Sequence, residues 1–235
     1  MTCITYISHL AYILTFHLSA RETMIILVGG EKGGSGKSCL AQNLSVFLTQ
    51  QEMDVLLVDA DPQGTTNDWV HERNQNNDVR KIPCVQASGN IRETLLNLKD
   101  RYSAIVIDAG GQDSEAMRSA MLVSTHMLLP FRPKRRDLKT LDKMSKILRQ
   151  AIALNPDLTA RAVISQCPTL PTQAQRILDA KEACLSFEIQ PLSSMTFTRN
   201  VYDDSDENGL SVLESKDAKA RQEVINIATE LLGDK

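Results

Sequence analysis

The chain of 235 residues lacks any excess of basic charge, any paired cysteine motif and any apolar run fit to cross a bilayer, and each absence removes a class of function. A net charge of −3 argues against a globally basic nucleic-acid binder, leaving only local charge asymmetry to consider. Its five cysteines, at 3, 39, 84, 167 and 184, form no Cys-x-x-Cys pair and have no neighbouring histidines. Neither a zinc site nor a disulfide framework is indicated, and the thiols read as reduced and mostly buried in a cytosolic protein. The longest apolar stretch, Ile4 to Leu18, is interrupted by Ser8, His9, Thr15 and His17, too short and too polar to span a membrane. It has no basic segment before it, so it does not read as a secretory signal. No internal repeat or low-complexity tract is present, and the length suits one α/β domain with a substantial core.

What the sequence does hold is Gly30-Glu31-Lys32-Gly33-Gly34-Ser35-Gly36-Lys37-Ser38. The apolar run Met24 to Val28 before it reads as a buried strand, and Cys39 to Gln50 after it carries Leu40, Leu44, Phe47 and Leu48 at the spacing of one helix face. A glycine turn between strand and helix lets successive backbone N–H groups point into one concavity, where the helix N-terminus adds partial positive charge. The residues predicted to cradle the phosphates are Gly33, Gly34, Ser35, Gly36, Lys37, Ser38 and Cys39. Lys37 is expected to reach the β- and γ-phosphates, and the Ser38 hydroxyl to ligate Mg2+.

The ordinary phosphate-loop pattern places glycine five residues before Gly36, and that position is Glu31. The stretch instead matches Lys-Gly-Gly-x-Gly-Lys-Ser, in which Lys32 opens the loop. In this deviant Walker A form the sequence resembles the ParA/MinD family of ATPases, and most closely its small plasmid-partition members of the ParF type. That resemblance implies ATP and Mg2+ as ligands and an ATP-bound homodimer, in which Lys32 crosses the interface to the partner's phosphates. Small members of the family begin at the residue corresponding to Met24. Residues 1–23 are therefore an N-terminal extension with two readings, an over-extended reading frame or an apolar arm packing on the domain or a partner. Residues 24–235 form the ATPase domain.

Val55 to Asp59 and Ala104 to Asp108 are apolar runs ending in a carboxylate, as buried parallel strands do at their functional edge. Thr125 to Phe131 and Ala162 to Ser165 are further candidate strands, with helical periodicity near 91–99, 113–123, 137–153, 172–184 and 217–232. This alternation predicts a single-domain, doubly wound α/β fold with a mostly parallel sheet and helices on both faces. Asp108 fits the strand-end aspartate that holds a hydrated magnesium ion. Asp59-Ala60-Asp61-Pro62-Gln63-Gly64 matches the family's Asp-x-Asp-Pro-Gln segment, which implies that Asp59 lies near the metal and Asp61 positions the attacking water. Any one of these aspartates alone is equally a cap or turn former. Three of them behind a loop with Lys32 and Lys37 point to in-line attack of water on the γ-phosphorus, slow unless a partner assists.

The resemblance runs from about Met24 to the end. Pro130-Phe131-Arg132-Pro133 with Asp137-Leu138 resembles the family's proline-to-aspartate segment after the fourth strand. Thr198-Arg199-Asn200-Val201-Tyr202, followed by Asn208 to Glu214, resembles its tail. The departures are Glu31, Ser38 in place of the commoner threonine, and Ala109-Gly110-Gly111 where many relatives carry prolines.

Between Arg132 and Arg149 stand eight basic residues against Asp137 and Asp142, a local charge of +6 that leaves −9 for the remainder. On a helix starting near Asp137, Leu138, Leu141 and Leu148 fall on one side and Lys139, Lys143 and Lys146 on another. Those three lysines are candidates for non-specific DNA backbone contacts. The same pattern also describes an ordinary solvated helix face.

No helix-turn-helix region precedes the phosphate loop, so a small centromere-binding adaptor is expected to connect the ATPase to its cargo. The resulting expectation is a cytoplasmic, nucleoid-associated partition or positioning ATPase whose hydrolysis the adaptor stimulates. A related ATPase positioning a conjugative-transfer complex or other cellular cargo remains a rival. A MinD-like membrane positioner would need a basic amphipathic C-terminal helix, and Arg221 to Lys235 carries Glu223, Glu230 and Asp234. A nitrogenase-reductase-like carrier would need cysteines just after Asp108, and a metabolic ligase of similar fold a substrate motif of its own; neither signal is present.

Overall fold

Seven strands, all paired in parallel, form a single sheet in the order β3-β2-β4-β1-β5-β6-β7. In chain order these are β1 (Met24–Val28), β2 (Val55–Ala60), β3 (Cys84–Gln86), β4 (Ala104–Ala109), β5 (His126–Phe131), β6 (Thr159–Cys167) and β7 (Pro191–Phe197). The computed structural model describes residues 23–111 and 113–233, so the expectations for the N-terminal extension, Thr23 apart, lie outside the described residues. Strands β2, β4 and β5 are buried along their whole length, and β1 from its second residue on, which is why they read as continuous apolar runs.

The connecting helices are α1 (Lys37–Gln50), α2 (Thr65–Gln75), α3 (Arg92–Leu98), α4 (Glu115–Met121), α5 (Arg135–Leu138), α6 (Leu141–Leu154), α7 (Ala174–Ser186), α8 (Val201–Asp204) and α9 (Ala218–Gly233). They divide between the two faces of the sheet. Ile26, Val28, Leu57 and Val106 point to one side and pack with Leu40 and Leu44 of α1, Trp69 of α2, and Val224, Ile227 and Leu231 of α9. Ile25, Leu27, Val58 and Ile107 point to the other and pack with Leu95 of α3, Met117 of α4, Leu148 of α6 and Ile177 of α7. The side-chain alternation of each central strand thus feeds two cores, the doubly wound arrangement expected from the sequence.

Three elements were not anticipated. Helix α2 lacks a clean apolar stripe because its buried residues include Thr66 and Arg73 beside Trp69 and Val70. Arg73, 1% exposed, makes a bidentate pair with Glu214 at 2.8 and 2.9 Å and donates to the Gly209 carbonyl, tying α2 to the tail. Strands β3 and β7 are the sheet edges. One is three residues long and largely exposed, and the other carries Ser193 and Ser194, whose amides are capped by the Glu230 carboxylate.

The helix expected over 137–153 is in fact two. Asp137 turns inward and is fully buried, the short α5 ends at Leu138, and α6 starts only at Leu141. Lys139 lies in the turn between them, so it does not share a helix with Lys143 and Lys146. The apolar side of α6 is as expected, with Leu141, Met144, Ile147 and Leu148 buried.

Candidate nucleotide-binding site

Strand order sets the site. Because β1 lies between β4 and β5, the loop leaving β1 is flanked by the segments leaving those two strands. Register places Val28 opposite Asp108, and Asp108 opposite Asp59, so both aspartates stand at the carboxyl edge of the sheet. This is where open α/β sheets bind ligands.

The loop itself turns on glycines. Gly34 and Gly36 have φ of +72° and +87°, the left-handed region that side chains other than glycine rarely adopt. Gly36 is the N-cap of α1 with no side-chain cap, which leaves the first amides of the helix available to an anion. Gly111, after β4, packs so closely that a Cβ there would lie 2.9 Å from the Gly33 amide nitrogen and 3.2 Å from Lys37 Nζ. A glycine pair in place of prolines therefore lets this segment rest directly on the loop. From the other side, Ser165 donates to the Ser35 carbonyl at 2.8 Å and Gln166 Nε2 to the Gly34 carbonyl at 3.1 Å, with Gln166 held at φ +51°.

Two lysines in the loop have opposite environments. Lys37 is 6% exposed and its Nζ donates to the Lys32 carbonyl at 2.9 Å. Burial lowers its pKa from the ordinary lysine value, opposed by the carboxylates of Asp108 and Asp61. Lys32 is exposed, and its ammonium pairs with no described residue.

The carboxylates also differ. Asp108 is fully buried; its Oδ2 accepts from the Thr66 hydroxyl at 2.7 Å, while Oδ1 has no hydrogen-bond partner. Burial pushes its pKa up to about 6 against the pull of the Thr66 and Ser38 hydroxyls. Asp59 uses both oxygens on backbone amides, those of Asp61 at 3.1 Å and Asn67 at 2.7 Å, and burial raises its pKa against those bonds. It shapes the loop that presents Asp61. Asp61 accepts from the Gln63 amide at 3.0 Å, and its carboxylate lies 3.3 to 3.5 Å from where a Cβ on Gly110 would be. Cys39 is a neutral thiol, pushed up to about 12 chiefly by burial.

Burial thus disfavours the charge on Lys37 and on Asp108 alike, as expected of a pocket whose counter-charges arrive with its ligand. A polyphosphate would compensate Lys37. An Asp108 carboxyl near Ser38, its Oδ1 without a partner among the described residues, fits an oxygen-liganded divalent cation. Among the described residues no group of three or more His, Cys, Asp or Glu comes together as a metal site, so such a cation would draw most of its ligands from phosphate and water.

Of the DNA candidates, all three lysines are exposed. Lys143 pairs with Glu31 at 2.7 Å and stands 3.7 Å from Asp113, and Lys146 pairs with Asp142 at 2.7 Å. Glu31, the residue in place of the ordinary glycine, therefore links the phosphate loop to α6. Sequence reading missed Thr66, Ser165 and Gln166. Thr66 stands two residues after the Asp-x-Asp-Pro-Gln-Gly segment, but nothing in the sequence marks the other two.

The geometry agrees with comparison to known proteins. Over 222 residues the chain is 26% identical to the maintenance of carboxysome distribution protein A of Halothiobacillus neapolitanus, covering 92% of this chain and 99% of that protein. Among solved structures, an ATP complex of McdA from Cyanothece superposes with a TM-score of 0.74 at 13% identity, covering 92% of this chain and 98% of that one. The septum site-determining protein MinD of Pyrococcus horikoshii, complexed with Mg-ADP, gives 0.67 at 20% identity, covering 91% and 96%. At these identities the structures speak to the fold alone. The family model for the CobQ/CobB/MinD/ParA nucleotide binding domain matches residues 26–210. With a glycine-turned loop over β1, a buried lysine within it and a strand-end aspartate beside it, the chain belongs to the CobQ/CobB/MinD/ParA nucleotide binding domain family.

Proposed function

We propose that the protein is a Mg2+-dependent ATPase of the positioning kind, which closes into a homodimer on ATP and opens after hydrolysis. The observation that carries this reading is the combination of a buried Lys37 and an Asp108 Oδ1 without a described partner with an exposed Lys32 whose ammonium pairs with no described residue. The first two suit a polyphosphate and its metal within one chain. The third suits a target outside it.

Gly33 to Cys39 supply the amides for the phosphates, Lys37 bridges toward the γ-phosphate, and Ser38 with Asp108 would hold Mg2+, with Asp59 fixing the loop beside them. The metal supplies charge neutralisation on the phosphates. Asp61, on a loop held by the Asp59 carboxylate, orients the attacking water. Positioning one water with a single carboxylate gives slow turnover, so a small adaptor that stimulates hydrolysis fits as the partner.

Non-specific DNA is the proposed substrate for adhesion, through the exposed cations of 132–149. A nucleoid-bound, cytoplasmic location follows from that, and no described helix is long and apolar enough to cross a membrane. The cargo is a plasmid or a cellular body; the carboxysome relative makes the second reading equally apt. The test is ATP-dependent binding to non-specific duplex DNA by the wild type and by Lys139→Glu/Lys143→Glu/Lys146→Glu. A loss of binding with ATPase turnover retained is expected, and unchanged affinity rejects the α6 face as the DNA surface. Because Lys143 pairs with Glu31, a companion Glu31→Gln variant separates loss of charge from disturbance of the loop.

A further inference from the structure

At the end of β5, Arg132 is held in a fixed pose. Its Nε and Nη2 donate to the two carboxylate oxygens of Asp137 at 2.8 and 3.1 Å, and its backbone amide donates to the same carboxylate at 3.3 Å. The Asp137 carboxylate is fully buried and takes all three of these donors, which holds the acceptor in place. The expected helix over 137–153 breaks at Leu138, one residue beyond this pair. A buried carboxylate with a bidentate guanidinium is a strong, geometrically exact contact.

The fork leaves one edge of the guanidinium unused. Arg132 Nη2 also reaches the Gly33 carbonyl at 3.4 Å, while Nη1 makes no hydrogen bond to a described residue and lies 3.4 Å from where a Cβ on Gly34 would stand. Arg132 is thus the cation at the outer lip of the loop, on the half that precedes the helix. Gly33 and Gly34 lie on the strand side of the loop, away from the uncapped amides that open α1 and suit a phosphate. Lys37 Nζ donates to the Lys32 carbonyl and Arg132 Nη2 reaches the carbonyl of the next residue, Gly33, so the two cations address the same turn of the loop.

We propose that Arg132 is a further phosphate-contacting residue, whose free Nη1 edge binds the γ-phosphate and so discriminates ATP from ADP. The claim rests on the ATPase reading above and adds a specificity determinant to it. Asp137 is the positioning residue, since it reaches the phosphate only through the arginine. Lysine is not equivalent here, because its single ammonium cannot hold Asp137 and offer a second edge at once.

The experiment is calorimetric titration of AMPPNP and of ADP, each with Mg2+, into the wild type, Arg132→Lys and Arg132→Ala/Asp137→Asn. The double variant avoids leaving a buried unpaired carboxylate, and Arg132→Lys keeps the ion pair if the double variant does not fold. Both variants are expected to bind AMPPNP at least 10-fold more weakly while ADP affinity stays within 2-fold, a loss of about one γ-phosphate hydrogen bond to a charged group. Equal losses for both nucleotides, or none for either, overturn the proposal and reduce Arg132 to a scaffold for the loop. A wild type that binds neither nucleotide refutes the ATPase reading instead, so the two failures are distinguishable.

Discussion

Replacing Asp108 with asparagine should stabilise the nucleotide-free protein while destroying its metal-dependent function. Asp108 is fully buried with one oxygen unpartnered, and burial raises its pKa from 3.8 to about 6. A carboxyl that holds its proton more tightly folded than unfolded favours folding below the unfolded pKa. That contribution is lost as pH rises toward 6, and above it the folded state carries the full burden of the buried charge. Two pKa units correspond to about 3 kcal/mol. The value of about 6 already includes the attraction to Lys37; asparagine adds an NH2 group that needs a partner, which reduces the expected net gain to ~1–2 kcal/mol. For a domain of this size that is a rise in Tm of about 2–8 °C at pH 7.5. The assay is thermal melting of both proteins in EDTA from pH 4 to pH 8. At pH 4 the variant should be slightly the less stable protein, by the cost of the added NH2 group, and it should overtake the wild type as pH rises, reaching its plateau above pH 6. A variant less stable than wild type at pH 7.5, or a difference independent of pH, refutes the reasoning. In the same variant, Mg2+-dependent ATP binding should fall sharply.

Two further outcomes test the scaffold around the site. Arg73→Ala strands the Glu214 carboxylate and the Gly209 carbonyl, and should cost ~3–5 kcal/mol, read as a fall in Tm of about 6–20 °C; a fall under 2 °C would show the pair to be dispensable. Gly111→Ala drives a Cβ to within 2.9 Å of the Gly33 amide, so nucleotide affinity should drop at least 10-fold with little change in the far-UV spectrum. Unchanged affinity in that variant would mean that the segment after β4 moves freely off the loop.

How much was legible in the sequence follows from the physics of each element. Buried central strands announce themselves as apolar runs ending in Asp59 and Asp108, because both faces of the sheet are covered. Edge strands do not, since β7 is buried only at Leu192 and Thr196 and carries Ser193 and Ser194 between them. Helix α2 was hidden because its core-facing Arg73 and Thr66 are polar residues whose side-chain partners, Glu214 and Asp108, are distant in sequence. The loop lysines and strand-end aspartates were readable as types at a spacing. What they do with their oxygens was not: Asp59 bonds two amides, and Asp108 keeps one oxygen unpartnered. Asp137 read as the start of a helix and proved to be the anchor of Arg132, a distinction made by burial rather than by pattern.

The central claim, that Lys32 serves the nucleotide of another subunit, is tested most directly by mixing two inactive variants. Lys32→Ala lacks the crossing lysine and keeps Asp61, whereas Asp61→Ala keeps the lysine and lacks the water-positioning carboxylate. Each alone should bind Mg-ATP and hydrolyse it at no more than background. In a mixed dimer the Lys32→Ala subunit receives Lys32 from its partner and has its own Asp61, so one complete site forms. ATPase activity of the two variants is measured across mixing ratios, and it should rise to a maximum near equal amounts. No activity at any ratio, or full turnover by Lys32→Ala alone, would contradict a lysine that acts across the interface.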